Sequence, residues 1–289
     1  MSWFNISYAT SLAVVVATMS VAPVYARSAG PNHASRALYW NTVPNGSMSN
    51  SQMDVAIAEL KAQQINRAHL WVNDQPTSAI TCGSTFSYQG WTASGLETFA
   101  RRLTASGITV TLTMSPAVPT PDYIRSLSSV WEIAKRTGAD VEYDLEGAWT
   151  RKWGPQNCGA NGSRPDLATI EKQLITETRS EVPGVKIGIS TTPGHFKDHA
   201  ALLKLADWVA PQLYELSPTQ MRTYVTALEQ GYGINAIWPA VRVDCPLEKL
   251  IPGIGAANAM AATDLKVKGI AIWGRMELTY ADKWLRRTS

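Results

Sequence analysis

The sequence predicts a single-domain α/β protein, a (β/α)8 TIM barrel. Three observations carry that expectation. Eight strand-like segments alternate with helix-like ones, the number such a barrel needs over about 250 residues. The turn after the first strand, Asn41-Thr42-Val43-Pro44-Asn45-Gly46-Ser47, has no GxGxxG loop, which a doubly wound open sheet usually carries there. No repeat, low-complexity stretch or second domain interrupts the pattern.

Side chains alternate across a strand, so in a barrel one set meets the helices and the other meets the lumen. The helix-facing set should be apolar, which assigns the faces. The first strand, Arg36–Asn41, turns Tyr39 and Asn41 inward, and a helix over Ser51–Gln64 follows. The second, Asn66–Asn73, offers His69, Trp71 and Asn73, before a helix over Gly95–Ala105. The third, Ile108–Ser115, offers Thr109, Thr111, Thr113 and Ser115, before a helix over Asp122–Thr137. The fourth, Ala139–Glu146, puts Val141, Tyr143 and Leu145 on one face and Asp140, Glu142, Asp144 and Glu146 on the other. A long Gly-, Asn- and Pro-containing loop, Trp149–Pro165, leads to a helix over Asp166–Glu181. The fifth strand is Val185–Thr192, with a helix over Lys197–Leu205. The sixth, Trp208–Glu215, offers Trp208, Gln212 and Tyr214, and ends on Glu215; its helix is Thr219–Gln230. The seventh, Ala236–Asp244, offers Trp238, Arg242 and Asp244, before a weak helix near Ala256–Thr263. The eighth, Gly269–Glu277, offers Trp273, Arg275 and Glu277, and a short helix over Ala281–Arg287 closes the chain.

Four carboxylates on one inward face are costly, because like charges and desolvation both raise carboxyl pKa values. Apolar neighbours, Val110 and Leu112 before and Ile187 and Ile189 after, argue against a solvated edge strand. Perturbed carboxylates cluster at functional sites, which favours Asp144 and Glu146. The polar lumen residues gather at the C-terminal strand ends, where barrel enzymes build their sites. Trp71, Trp208 and Trp238 fit plain barrel core equally well. His69 reads as a core histidine, and Arg242 and Arg275 as neutralisers of the acid ladder. His33, His195 and His199 are dispersed, and no Ser-His-Asp or Cys-His arrangement can be argued.

Lys+Arg 26 against Asp+Glu 23 leaves a formal charge of +3, too balanced for a protein that binds nucleic acid through its phosphates. A hydrophobic content of 45% excludes a disordered chain. Eleven Trp and 10 Tyr against 4 Phe suit half-wet surfaces, since both rings pair an apolar face with a polar handle.

Residues 1–26 hold no charged side chain and include the run Leu12-Ala13-Val14-Val15-Val16-Ala17. Val24 and Ala26 before Arg27 suit a signal-peptidase site. The expectation is a signal peptide over 1–26, a barrel over 27–289 and a secreted or periplasmic protein. No later segment is apolar for long enough to span a membrane. Of three Cys, Cys82 and Cys158 lie in polar loops and pair in this reading, leaving Cys245 free. Their spacing fits no zinc pattern, so no metal and no cofactor are expected. A monomer acting on a polysaccharide is the expected working form.

The residues of the fourth strand, Ala139-Asp140-Val141-Glu142-Tyr143-Asp144-Leu145-Glu146, resemble the DxxDxDxE strand of family 18 glycoside hydrolases, the chitinases and their relatives. Leu38-Tyr39-Trp40-Asn41 is similar to their aromatic first strand. Pro211-Gln212-Leu213-Tyr214-Glu215 resembles their sixth-strand Gln-x-Tyr. Gly269-Ile270-Ala271-Ile272-Trp273 resembles the eighth strand that ends in a Trp. Ala139 replaces the motif's first Asp and Glu142 its second, and Thr113-Met114-Ser115-Pro116 replaces SxGG. The D-x-E strand also resembles that of family 25 lysozymes, though no first-strand Asp of their kind is present.

The family 18 resemblance implies a secreted hydrolase of chitin or peptidoglycan. It implies that Glu146 protonates the glycosidic oxygen while the substrate's N-acetyl oxygen attacks the anomeric carbon, the substrate-assisted exception to the two-carboxylate scheme. Asp144 would orient the acetamido group and Tyr214 would donate to it. Glu142 would hold a shared proton within the ladder. Trp273 would stack under the sugar, and Tyr39, Asn41 and Gln212 would contact its polar groups. The residues alone leave two other readings. One is a two-carboxylate glycosidase pairing Glu146 with Glu215, Asp244 or Glu277. The other is a non-catalytic barrel that only binds carbohydrate through its aromatic groove.

Overall fold

The structure is a computed structural model that describes residues 35–40, 48–73, 86, 88, 90–115, 121–146, 166–214, 216–242, 256–257, 259–261 and 263–273. The strands are β1 (Ser35–Trp40), β2 (Arg67–Asn73), β3 (Thr109–Met114), β4 (Asp140–Asp144), β5 (Ile187–Thr191), β6 (Trp208–Pro211), β7 (Ala240–Arg242) and β8 (Gly269–Trp273). Between them run α1 (Asn50–Ala62), α2 (Ala93–Ala105), α3 (Pro121–Ser126), α4 (Ser128–Thr137), α5 (Leu167–Glu181), α6 (Ala200–Leu203) and α7 (Pro218–Thr226).

All strand pairs are parallel, in the order β6-β5-β4-β3-β2-β1-β8-β7. Parallel bridges Val209↔Ile237 and Gln212↔Ala240 join β6 to the β7 segment, so the sheet closes on itself. The chain is therefore a (β/α)8 barrel, as its alternation of elements requires.

Local chemistry sets the helix ends. Ser49 accepts from the Gln52 backbone while the Gln52 side chain returns to the Ser49 N–H, a capping box at α1. Ser217 and Gln220 repeat it at α7, with Pro218 in the first turn. Gly138 stops α4 at φ 69°, a left-handed conformation that costs glycine little. Two helices differ from the sequence reading. The Asp122–Thr137 segment breaks at Leu127, whose N–H bonds back to Ile124 and starts α4 afresh. The Lys197–Leu205 segment yields only the four residues of α6, after a 3-10 turn at Pro193–His195.

Two separate cores result. The outer one packs helices on the sheet through Leu70, Leu112, Val141 and Ile189, all at 0% exposure. Each such aliphatic stabilises the fold by roughly 1.5–3 kcal/mol. The inner one lies in the lumen: Ala37, Tyr39, Ala240 and Ala271, with Trp71, Tyr214, Trp238 and Trp273 packed against them. Small residues on β1, β7 and β8 leave room for the four large rings.

Gly188 on β5 is the tightest case of that accommodation in the described residues. A Cβ there would stand 2.0 Å from Trp208 Cε2. The indole lies across the β5 backbone and reaches the lumen axis. Gly188→Ala is expected to displace the ring and destabilise the protein by about 1–3 kcal/mol through overpacking. A denaturant midpoint equal to wild type would show that the ring has other room.

Among the described residues no helix is long and apolar enough to cross a membrane.

Candidate active site

The site is built on β4. Its alternation sends Tyr143 outward, where its hydroxyl meets Trp131 Nε1 at 3.0 Å and Thr178 Oγ1 at 2.6 Å. The same alternation sends Asp140, Glu142 and Asp144 inward, at rising heights from floor to mouth.

At the floor, Arg67 Nη1 bonds Asp140 Oδ2 at 2.9 Å and Thr111 Oγ1 at 2.8 Å. Its guanidinium also lies 5.2 Å from the Trp208 ring and 5.6 Å from the Trp238 ring. This plug neutralises the lowest carboxylate and leaves it no part at the mouth.

Midway, Glu142 is 0% exposed and spans the lumen. Oε1 accepts from the Tyr39 hydroxyl at 2.8 Å and lies 3.2 Å from His69 Nδ1. Oε2 accepts from Trp208 Nε1 at 2.9 Å. Burial pushes this carboxyl up, but the pull of His69 and the bonds from His69, Trp208 and Tyr39 outweigh it and hold it below its ordinary range.

At the mouth, Asp144 is 5% exposed. Its Oδ1 accepts from Gln212 Nε2 at 2.7 Å, and the same amide nitrogen lies 3.2 Å from Ser190 Oγ. Burial, then the Glu146 charge, pushes Asp144 well above the carboxylate range, against the bonds from Ser190 and Gln212. So the two neighbours on one strand are moved in opposite directions.

Glu146 follows beyond the strand end and is half-buried. The backbone beneath it is fixed: Leu145 N–H donates to Ser190 O at 2.8 Å, and Thr191 Oγ1 donates to Leu145 O at 2.9 Å. Facing it, the Tyr214 ring lies 5.9 Å from Trp273 at 31°, and the Arg242 guanidinium lies 5.3 Å over Trp273. Burial, then the Asp144 and Glu146 charges, pushes the Tyr214 phenol well above its usual value, so it stays a donor.

The structure thus brings together Tyr39, Trp71, Glu142, Asp144, Glu146, Gln212, Tyr214, Arg242 and Trp273. Tyr39 spends its hydroxyl on Glu142, and Trp71 packs edge-on at 6.5 Å from Tyr39. Asn73 behaves differently. The β2–β3 register shifts between Trp71 and Asn73, and the Asn73 amide bonds the Ser115 backbone at both N and O and the Tyr123 hydroxyl. It ties two strand ends together. Asn41, Glu215, Arg275, Glu277, Cys82 and Cys158 lie outside the described residues, as do Asp244, Cys245, the 149–165 loop and residues 1–26.

Three contributors were missed in the sequence. Arg67 shares the parity of His69 and so was readable as inward. Ser190 was equally readable, had β5 been given an inward set. His195 is half-buried beyond β5, with Nδ1 3.0 Å from Thr192 Oγ1. Burial, then His199, lowers its pKa against the pull of Asp198 and Glu146. The register Asp144↔Ser190 sets Thr192 level with Glu146, which places this histidine at the rim. Among the described residues no group of three His, Cys, Asp or Glu is placed to hold a metal ion.

The (β/α)8 barrel is a widely used architecture that hosts many chemistries. No protein-family model matches the chain, and no curated protein matches its sequence. Solved structures do match. A GH18 chitinase from Pseudoalteromonas aurantia superposes with a TM-score of 0.59 at 14% identity, over 88% of this chain and 98% of that one. A GH113 β-1,4-mannanase gives 0.60 at 12%, over 84% and 88%. The spore cortex-lytic enzyme SleL of Bacillus megaterium gives 0.53 at 10%, over 89% and 75%. At such identities the likeness establishes the TIM-barrel fold, which morphinone reductase also shares at 0.57.

Proposed function

We propose that the chain is a glycoside hydrolase, acting on N-acetylglucosamine-containing polysaccharide such as chitin or peptidoglycan. One observation carries the reading: Asp144 and Glu146 share the inward face at the barrel mouth, opposite Gln212, Tyr214 and Trp273. Several structural neighbours are named as glycosidases, among them the chitinase and the mannanase, which supports the class. In this reading the protein is exported, monomeric, free of cofactor and indifferent to nucleic acid.

Glu146 is the acid, half-buried and open to a bound sugar. Asp144, whose carboxyl burial and the Glu146 charge push toward its protonated form, orients the substrate's acetamido group. Tyr214 donates to the same group, and Trp273 offers a ring for stacking. The two-carboxylate alternative draws its second carboxyl from Glu215, Asp244 or Glu277.

Reducing-sugar release from chitin oligomers and from purified peptidoglycan tests the reading. Inhibition by a thiazoline mimic of the cyclised intermediate separates the routes, because the two-carboxylate route forms no such species. Activity on neither polymer would sink the substrate assignment.

Two further results are expected. Tyr214→Phe removes one donor from the developing charge and should lower kcat about 10²-fold with the fold intact. The alkaline limb of the rate profile should report the Asp144 and Glu146 carboxyls together, because the acid must also hold its proton. The Asp144 pKa is raised, so its proton is held below that raised value and lost as pH rises through it. Asp144→Asn should move or erase that limb; an unchanged profile assigns the limb to another group.

A further inference from the structure

The proposed hydrolysis leaves one buried histidine on the barrel axis without a task. His69 is 1% exposed. Its Nδ1 lies 3.2 Å from Glu142 Oε1 and 3.3 Å from Thr113 Oγ1. Its Nε2 is buried with no hydrogen-bond partner among the described residues. The Tyr39 ring stands 4.5 Å away, tilted, and the Trp208 ring 6.5 Å away, edge-on. Those same two residues donate to Glu142.

The donors around Glu142 differ in one respect. Trp208 Nε1–H can only donate. The Tyr39 hydroxyl gives its single hydrogen to Oε1. The Thr113 hydroxyl, 3.5 Å from Oε1, adds a longer contact. The contact with His69 is the one whose direction a ring proton sets. With a hydrogen on Nδ1, the ring donates and Glu142 must be a carboxylate. With that nitrogen bare, Glu142 can hold the proton and donate it to the ring. The state of that nitrogen thus decides whether the ring holds Glu142 as a carboxylate or takes a proton from it. Glu142 is also one methylene longer than Asp, which lets it touch β1, β2 and β6 from β4.

We propose that His69 is a positioning residue: its Nδ1–H fixes Glu142 as a carboxylate on the axis, so that a proton shared between Glu142 and Asp144 rests on Asp144 at the mouth, apart from the proton Glu146 donates. The ionisable groups facing the pair are Tyr39 from β1, Arg67 from β2, Asp140 and Asp144 from β4, and Tyr214 above. A proton on Asp144 meets the Gln212 and Ser190 side of the mouth, where a substrate can use it. A proton on Glu142 is walled off by Tyr39 and Trp208. The effect on rate rests on the glycosidase reading; the placement of the proton does not.

Nitrogen NMR of the full chain with labelled histidine reads the first half directly. Nδ1 of His69 is expected to carry hydrogen throughout about pH 5 to 8, and a bare Nδ1 overturns the proposal. Carboxyl carbon NMR is expected to show Glu142 ionised where Asp144 is still protonated; the reverse order overturns it. His69→Leu should move the proton toward Glu142, shift the alkaline limb and lower kcat about 10²-fold with KM unchanged. His69→Gln, whose amide can donate, should restore most of that loss. If the Leu variant does not fold, the wild-type spectra still decide. Wild-type protein that hydrolyses neither polymer, yet shows Nδ1–H and an ionised Glu142, sinks the glycosidase reading and leaves the proton placement standing.

Discussion

Exchange of Glu146 for Gln should lower kcat for glycoside hydrolysis by about 10²–10⁴-fold, the range a positioned general acid supplies, and leave the melting temperature near wild type. The substitution keeps size and hydrogen-bonding shape and removes the transferable proton. It spares the fold because the backbone at this point is held independently, by Leu145 N–H on Ser190 and by Thr191 on the Leu145 carbonyl. The side chain is half-buried and carries none of the lumen network. A second effect follows from charge. Glu146 is among the causes that push Asp144 up, so the neutral amide should let Asp144 ionise at lower pH. Residual activity should therefore fade earlier as pH rises. Rates on chitin oligomers and peptidoglycan, taken with a thermal melt, test both points. Full activity in a folded Glu146→Gln protein would refute the assigned acid.

The acid ladder was legible because β4 has strict alternation, and apolar Val141, Tyr143 and Leu145 can only face helices. Gln212, Tyr214 and Trp273 were legible through the same period on β6 and β8. What parity cannot convey is reach. The family resemblance makes Glu142 a sharer of protons, yet Tyr39, His69, Thr113 and Trp208 from four other strands converge on it, and burial alone does not set its charge. Its contact with Trp208 depends on Gly188, a residue with no side chain to notice. Counting from His69 makes Asn73 lumen-facing, yet the register shifts after Trp71 and its amide bonds Ser115. The break between α3 and α4 has no composition signal either: Leu127 keeps helical dihedrals, φ −73° and ψ −7°. His195 reads as dispersed because sequence distance hides the level at which β5 ends beside Glu146.

Glu142→Leu is expected to cost about 3–5 kcal/mol of stability, as removal of one member of a buried charged pair does. The mechanism is abandonment rather than lost attraction. Tyr39 Oη and Trp208 Nε1 would each lose the oxygen they face, and His69 Nδ1 would keep only Thr113 Oγ1 at 3.3 Å, in a lumen lined by Ala37, Ala240 and Ala271. Glu142→Gln should cost less, about 1–3 kcal/mol, since its carbonyl still accepts while its NH2 group meets donors on one side. The pH dependence separates charge from packing. Glu142 has a depressed pKa in the fold, against about 4.3 in an unfolded chain. Its contribution is therefore present above the unfolded value and is lost as pH falls through the folded one. Wild type should lose stability through that acid range, and the Gln variant should lose less. Denaturant midpoints across the range decide it. A Leu variant as stable as wild type would mean that the three donors find water or each other, and that the polar axis is kept for the placement of a proton and not for the fold.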